Sequence, residues 1–332
     1  MKKLFLIGLV ASIAISCNRD TEPLGPGLDE IYGPFSVLED FQVSDNAVDF
    51  KSGENLVFSV RFSKTVDWEL HVIGETSGAE KVLSGKSKVV DESNATWDGT
   101  TTTPPMFKEE SCWAYVTVPE EGYADTIMGL TIDSARTVSG FVVADFENGI
   151  NPGWNIFAQS GANMSFNIVE ADSAAQSGHY YDMGGEVSWD WLIGLIDFPA
   201  SAYGVQAYPL SDNSGEVYFN TFLYVPEGIS NEVILFQFSE DEDGNGSFQS
   251  ASEDMYSLEL RGLETGWQLI SVRYSDLQAL VNGQPSTPAG NEVHEPHKLY
   301  QVSLLFLANP SSGYSQTFVD YIVFTENGPL VP

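Results

Sequence analysis

After residue 35 the chain alternates apolar and polar positions over short runs, the pattern of strands with one buried face. Leu56-Val57-Phe58-Ser59-Val60-Arg61-Phe62 alternates, as do Trp68-Glu69-Leu70-His71-Val72 and Trp113-Ala114-Tyr115-Val116-Thr117-Val118. Turn clusters such as Ser52-Gly53-Glu54-Asn55 separate these runs. Residues 35–138 therefore read as one β-sandwich of short strands, with the chain crossing to a second region near residues 134–140. In that second region, residues 139–328, strands are expected at 141–147, 164–170, 189–197, 217–225, 233–239, 256–260, 268–274, 302–307 and 317–324. That density of strands fits a jelly-roll sandwich. Helical periodicity is nearly absent, apart from a short turn at 275–280. The expected fold class is all-β throughout.

The first residues follow a different pattern. Residues 1–16, MKKLFLIGLVASIAIS, place two lysines ahead of an apolar stretch too short to span a bilayer comfortably. The small residues before Cys17 resemble a bacterial lipobox, although Leu is commoner where Ala14 stands. This predicts cleavage before Cys17 and lipidation of that residue, with several acyl chains giving a firm anchor. Residues 17–34 are rich in Pro, Gly and charge and read as a flexible tether. No later run is long and apolar enough for a transmembrane helix.

Charge narrows the partners. The chain carries 14 Lys+Arg against 47 Asp+Glu, a formal charge of −33, and losing Lys2 and Lys3 with the leader makes it −35. Such a surface repels nucleic acid and anionic membranes, and suits a neutral ligand or divalent cations. Simple solubility in a saline habitat is an equally good account of the excess. Cys112 is the only other cysteine, so with Cys17 lipidated no intramolecular disulfide is available. Its apolar surroundings mark it as a core residue rather than a nucleophile.

Candidate chemistry lies mostly in the second region. Asp241-Glu242-Asp243-Gly244-Asn245-Gly246 puts oxygen side chains of Asp241, Asp243 and Asn245 at positions 1, 3 and 5, with Gly at 6. This is the front half of an EF-hand-type calcium loop. The back half departs from it, since Ser252 stands at position 12 and the nearest carboxylates are Glu253 and Asp254. A plain polar hairpin has a similar composition. A sugar ring offers an apolar C–H face ringed by hydroxyls, so it needs flat aromatic rings and planar polar groups. Candidates are Trp154, His179, Tyr180, Tyr181 and Trp189, with Trp191 assigned to the core beside Ile193. Gln237 alternates with Phe236 and Phe238, so if these face the core it points to the opposite face. No nucleophile elbow, HExxH, P-loop or dinucleotide fingerprint is present, and Pro296 breaks the His294–His297 pair. The expectation is a non-enzyme.

Thr96-Trp97-Asp98-Gly99 followed by the Trp-Ala-Tyr strand resembles the immunoglobulin-like domains of secreted bacterial proteins. The second region opens with Ala144-Asp145-Phe146-Glu147-Asn148-Gly149 and Gly153-Trp154 and closes with Phe318-Val319-Asp320-Tyr321-Ile322-Val323-Phe324. Between them stand Phe219–Pro226, Phe236–Asp241 and Gly266–Leu277. This series resembles the galactose-binding-like jelly roll of carbohydrate-binding modules, families 4 and 11 especially. With the anchor, the chain is similar to surface glycan-binding lipoproteins of Bacteroidota polysaccharide-utilisation systems. The resemblance implies polysaccharide or oligosaccharide binding at the outer membrane, beside a TonB-dependent transporter and its lid lipoprotein. It also implies a structural Ca²⁺ held where first and last strands meet, by Glu147 and Asp320, and a scaffold role for Trp267. Two other readings stay open: a calcium-stabilised structural or adhesive surface protein, and a glycoside hydrolase or lyase.

Overall fold

The computed structural model describes residues 33–186, 192–229, 233–307 and 314–332. The leader, Cys17, most of the tether, Trp189 and Trp191 lie outside the described residues. The described chain is all-β, with no α-helix and only single 3₁₀ turns between strands.

The N-terminal unit contains β1 (Val37–Val43), β2 (Ala47–Asp49), β3 (Leu56–Gly74), β4 (Glu80–Val90), β5 (Thr96–Trp97), β6 (Ser111–Val118) and β7 (Tyr123–Ser134). The two alternating runs at 56–62 and 68–72 form one strand, because no Gly or Pro interrupts residues 63–67. The first half of β3 pairs with β1 and β5, and the second half with β4 and β6. The β3–β4 register slips between Arg61 and Val66. One core fills the space between the layers, built on Trp68, Trp97, Phe58 and Phe62. Trp97 is held by Phe50 and Phe107 edges, and its Nε1–H donates to Thr100 O (2.9 Å). Cys112 is fully buried in the same core, and burial pushes its thiol far above the usual range.

The second unit begins with β8 (Phe141–Ala144), β9 (Asn155–Ala158), β10 (Asn163–Glu170), β11 (His179–Glu186) and β12 (Leu192–Pro199). It continues with β13 (Val217–Val225), β14 (Ile234–Glu240), β15 (Met255–Leu260) and β16 (Gly266–Arg273). It ends with the small hairpin β17 (Leu280–Val281) and β18 (Gln284–Pro285), then β19 (Leu299–Leu307) and β20 (Tyr314–Glu326). Two antiparallel sheets face each other. One has the order β10-β11-β20-β13-β16 with β8 also on β20; the other is β15-β14-β19-β12-β9. Inward residues alternate on both and close a core around Phe219, which meets Phe236, Phe238 and Phe324 at 4.9–5.5 Å between ring centroids. Fully burying each such ring contributes about 1.5–3 kcal/mol.

The two units touch through the outer face of the six-stranded sheet. Met106 from the first unit is buried with Ala175, Phe222, Val323 and Leu330 of the second. The outer face of the five-stranded sheet therefore points away from the first unit.

Candidate functional site

On the five-stranded sheet, register brings one polar residue per strand into a single row. Asn155 lies opposite Asp197, Asp197 opposite Ser303, Ser303 opposite Gln237, and Gln237 opposite Ser257. Asp197, Ser303, Gln237 and Ser257 face outward because their strand neighbours Ile196, Phe198, Val302, Leu304, Phe236, Phe238 and Tyr256 are buried in the core, and Asn155 joins them through its hydrogen bond to Asp197. The row crosses five strands, about 19 Å at the usual strand spacing. Two residues further along each strand lies an apolar row, Phe157, Leu195, Leu305 and Leu235, ending in Glu259.

Hydrogen bonds fix the row's groups in advance. Gln301 Nε2 donates to Ser303 Oγ (3.0 Å), Ser303 Oγ donates to Asp197 Oδ1 (2.7 Å), and Asn155 Nδ2 donates to Asp197 Oδ2 (2.9 Å). Gln237 has no side-chain hydrogen bond among the described residues, so its amide offers both donor and acceptor. Ser257 Oγ is buried without a partner. It borders a hollow of about 320 Å³ lined by Glu259, Asp276, Gln278, Leu280, Gly283 and Pro285. Phe157 is 41% exposed, while Ser303 and Ser257 lie deeper, so the row is lowest toward its centre and its β15 end.

Among the described residues the expected aromatic platform is not assembled there. Tyr181 is fully buried, stacked on Phe146 at 5.4 Å, because β11 turns it and Met183 inward. This corrects its assignment as a glycan contact: a side chain with no accessible surface cannot meet a ligand. Tyr180 lies on the outer face of the opposite sheet, stacked on Phe318 at 4.6 Å. Trp154 sits against the core between the edges of Phe146 and Phe198, with Nε1–H donating to Tyr203 Oη (3.0 Å). His179 Nδ1 pairs with Glu147 Oε2 at 2.9 Å, also away from the polar row. Trp189 lies outside the described residues. Of the expected glycan contacts among the described residues, Gln237 alone stands in the row.

Glu147 and Asp320 border one segment. Gln176 N–H donates to Asp320 Oδ2 (2.9 Å), and Gly178 and His179 N–H donate to Glu147 Oε1 (2.9 Å each). Asp320 is fully buried and its Oδ1 has no partner. Burial pushes its carboxyl up to about 8, and the Glu147 charge adds to the rise. Phe146, before Glu147, and Tyr321, after Asp320, both hold left-handed backbone, at φ 60° and 47°. Such strain in bulky residues costs of order 1–3 kcal/mol each and persists where the surroundings enforce it. An orphaned carboxylate oxygen beside a second carboxylate fits a hard cation.

The acidic loop closes in a way its sequence does not announce. Asp241 Oδ1 accepts from Asn245 N (3.1 Å) and Oδ2 from Gly246 N (2.7 Å). Glu253, one residue beyond the expected position, turns back to accept from Asp243 N (3.3 Å) and Gln249 N (2.6 Å). Ligand oxygens of Asp241, Asp243 and Glu253 thereby come within 4.8 Å of one another. Asn245 Oδ1 instead faces Ser247, accepting from its N–H and Oγ. Behind the loop, backbone N–H groups of one segment cap three more carboxylates: Gly290 to Asp254, Asn291 to Glu242 and Glu295 to Glu240. Burial pushes Glu240 up to about 8.

No family model matches the chain, and no curated protein matches it. Among solved structures it is similar to a family 11 carbohydrate-binding module from Clostridium thermocellum, in complex with a β-1,3-1,4-mixed-linked tetrasaccharide. That match has 18% identity over 57% of this chain and 98% of the other, with a TM-score of 0.39. It is also similar to SGBP-B from a complex xyloglucan utilization locus in Bacteroides uniformis, at 14% identity over 88% of this chain and 73% of that one, TM-score 0.36. A third is the CBM22-1 xylan-binding domain from Paenibacillus barcinonensis Xyn10C, at 13% identity over 57% and 97%, TM-score 0.33.

Proposed function

We propose that the chain binds a neutral glycan, without cleaving it, across the outer face of the five-stranded sheet. The carrying observation is the pairing of rows on that face: Asn155-Asp197-Ser303-Gln237 beside Phe157-Leu195-Leu305-Leu235. A pyranose chain laid across the strands would set its C–H faces on the apolar row and its hydroxyl edges on the polar one. The row's length accommodates several consecutive sugar rings. A formal charge of −33 disfavours uronate or sulfated chains, so the ligand is uncharged.

The remaining parts of the reading are proposals of the same kind. Calcium held by Glu147 and Asp320 would stiffen the meeting of first and last strands, and a second ion in the loop of Asp241, Asp243 and Glu253 would fix the β14–β15 connection. Lipidation at Cys17 would hold the protein at the outer membrane, facing outward, beside a TonB-dependent transporter and its lid lipoprotein. Anchoring raises the effective concentration of a weakly held polymer near the importer.

Isothermal titration of the purified chain against mixed-linked β-glucan, xyloglucan, xylan and mannan tests this. Binding to at least one neutral polymer, with no reducing ends released, is the expected result. Failure to bind any neutral polymer, or binding with cleavage, contradicts the proposal.

A further inference from the structure

Residues 171–178 run between the two units and carry contacts to both. Toward the second unit, Gln176 N–H donates to Asp320 and Gly178 N–H to Glu147, both at 2.9 Å. Toward the first unit, Ala175 O accepts from Met106 N–H (2.7 Å) and Asp172 O accepts from Lys108 Nζ (2.6 Å). Ala175 is fully buried with Met106, Phe222 and Leu330, so the segment is the filling of the junction rather than its rim. Its neighbour Ser173 O accepts from Trp267 Nε1 (2.7 Å), which pins the segment to the six-stranded sheet. Burial holds the Lys108 ammonium below the usual lysine range, against the pull of Glu110, Asp320, Asp172 and Glu147. The junction and the acidic pair thus share one short piece of backbone and one electrostatic neighbourhood.

We propose that calcium held by Glu147 and Asp320 locks the two sandwiches to each other, by fixing the 171–178 segment that both the ion site and Met106–Lys108 grip. The inference rests on the calcium reading of that site. Without the ion, one Asp320 oxygen is buried without a partner and the segment is tied on that side by backbone N–H donors. With the ion, both carboxylates are drawn together and the segment's 176–178 end is fixed with them. The first unit then sits in one orientation, and the glycan face, on the far sheet, is held pointing away from it. Coupling between two such sites is reciprocal: whatever calcium does for the junction, the junction does for calcium.

Amide hydrogen exchange on the full chain, in calcium and in EDTA, reads this directly, with ion stoichiometry measured in parallel by equilibrium dialysis. Peptides covering 104–110 should exchange about 10-fold more slowly with calcium, within the usual range of coupling. Asp320→Asn should bind one ion fewer and lose that difference. Met106→Ala, which empties the junction without changing its charge, should weaken calcium binding. If Asp320→Asn binds as many ions as the parent, the calcium assignment fails and this inference with it. If it binds one fewer while 104–110 exchanges equally with and without calcium in the parent, the coupling alone fails. Should Asp320→Asn not fold, an unchanged calcium affinity in Met106→Ala overturns the coupling.

Discussion

Two fully buried carboxyls make stability depend on pH in an unusual direction. Asp320 and Glu240 have no accessible surface, and burial pushes each up to about 8 from ordinary values of 3.8 and 4.5. The folded state therefore holds both protons in a range where the unfolded chain has released them. Stability is fullest below the unfolded values and is lost as pH rises toward the folded ones. At 1.36 kcal/mol per unit, each group withdraws about 5 kcal/mol between pH 4 and pH 8. That is comparable with the whole stability of an ordinary domain, about 5–15 kcal/mol. Calorimetric melts in EDTA at pH 5, 6, 7, 8 and 8.5 should show the transition of the second unit falling steadily. On the proposed assignment calcium compensates the ionised Asp320 but not Glu240, so a millimolar addition should recover about half the loss at pH 8, on top of whatever pH-independent gain the acidic loop contributes. Asp320→Asn, which removes the titration while keeping the acceptor for Gln176 N–H, should halve the slope in EDTA and abolish the pH-dependent part of the calcium effect. A transition in EDTA that is flat or rises from pH 5 to 8.5 would falsify the reasoning, as would equal calcium stabilisation at both ends.

Other expectations concern single sites. Tyr181 Oη is buried with no hydrogen-bond partner, so Tyr181→Phe should be neutral or stabilising by about 1 kcal/mol in a denaturant melt, and a loss would mean the hydroxyl is satisfied. A Cβ at Gly85 would stand 2.7 Å from the Trp68 ring, itself fixed by Nε1–H donating to Ser87 Oγ. Gly85→Ala should therefore cost the N-terminal unit about 1–3 kcal/mol, read as a lower midpoint for that unit alone. Glu253→Gln should reduce the number of calcium ions bound by one in equilibrium dialysis, and an unchanged count removes the acidic loop as a site.

Much of the fold is legible in alternation. The strand expected at 217–225 is β13 to the residue, and those near 233–239, 256–260 and 302–307 differ only at their ends. β11 was not legible, because Gly184-Gly185 and a mixed polar–aromatic run hide its period. Once it is seen as a strand, Tyr181 and Met183 fall inward and Tyr180 and Asp182 outward. The polar row shows a different limit. Gln237 can be placed outward from its two phenylalanine neighbours, but Asn155, Asp197, Ser303 and Ser257 join it only through pairing between strands far apart in sequence. Glu147 and Asp320 likewise come to border one segment only because β8 pairs with β20. Glu253 completes the acidic loop one residue later than a fixed spacing allows, and only the fold of residues 247–252 shows it.

On the proposed function, the outer face of the five-stranded sheet holds the glycan. Titration calorimetry of a bound neutral polymer against the parent, Gln237→Ala and Asp197→Ala, with Tyr180→Ala as a control on the opposite sheet, tests it most directly. Removing a hydrogen-bonding group from the row should weaken binding by about 1–3 kcal/mol, roughly 5- to 150-fold, because a partner hydroxyl is left unpaired. Tyr180→Ala should bind as the parent does. The reverse pattern, with the row variants unchanged and Tyr180→Ala impaired, would place the ligand on the other sheet and rule out this face as the binding site.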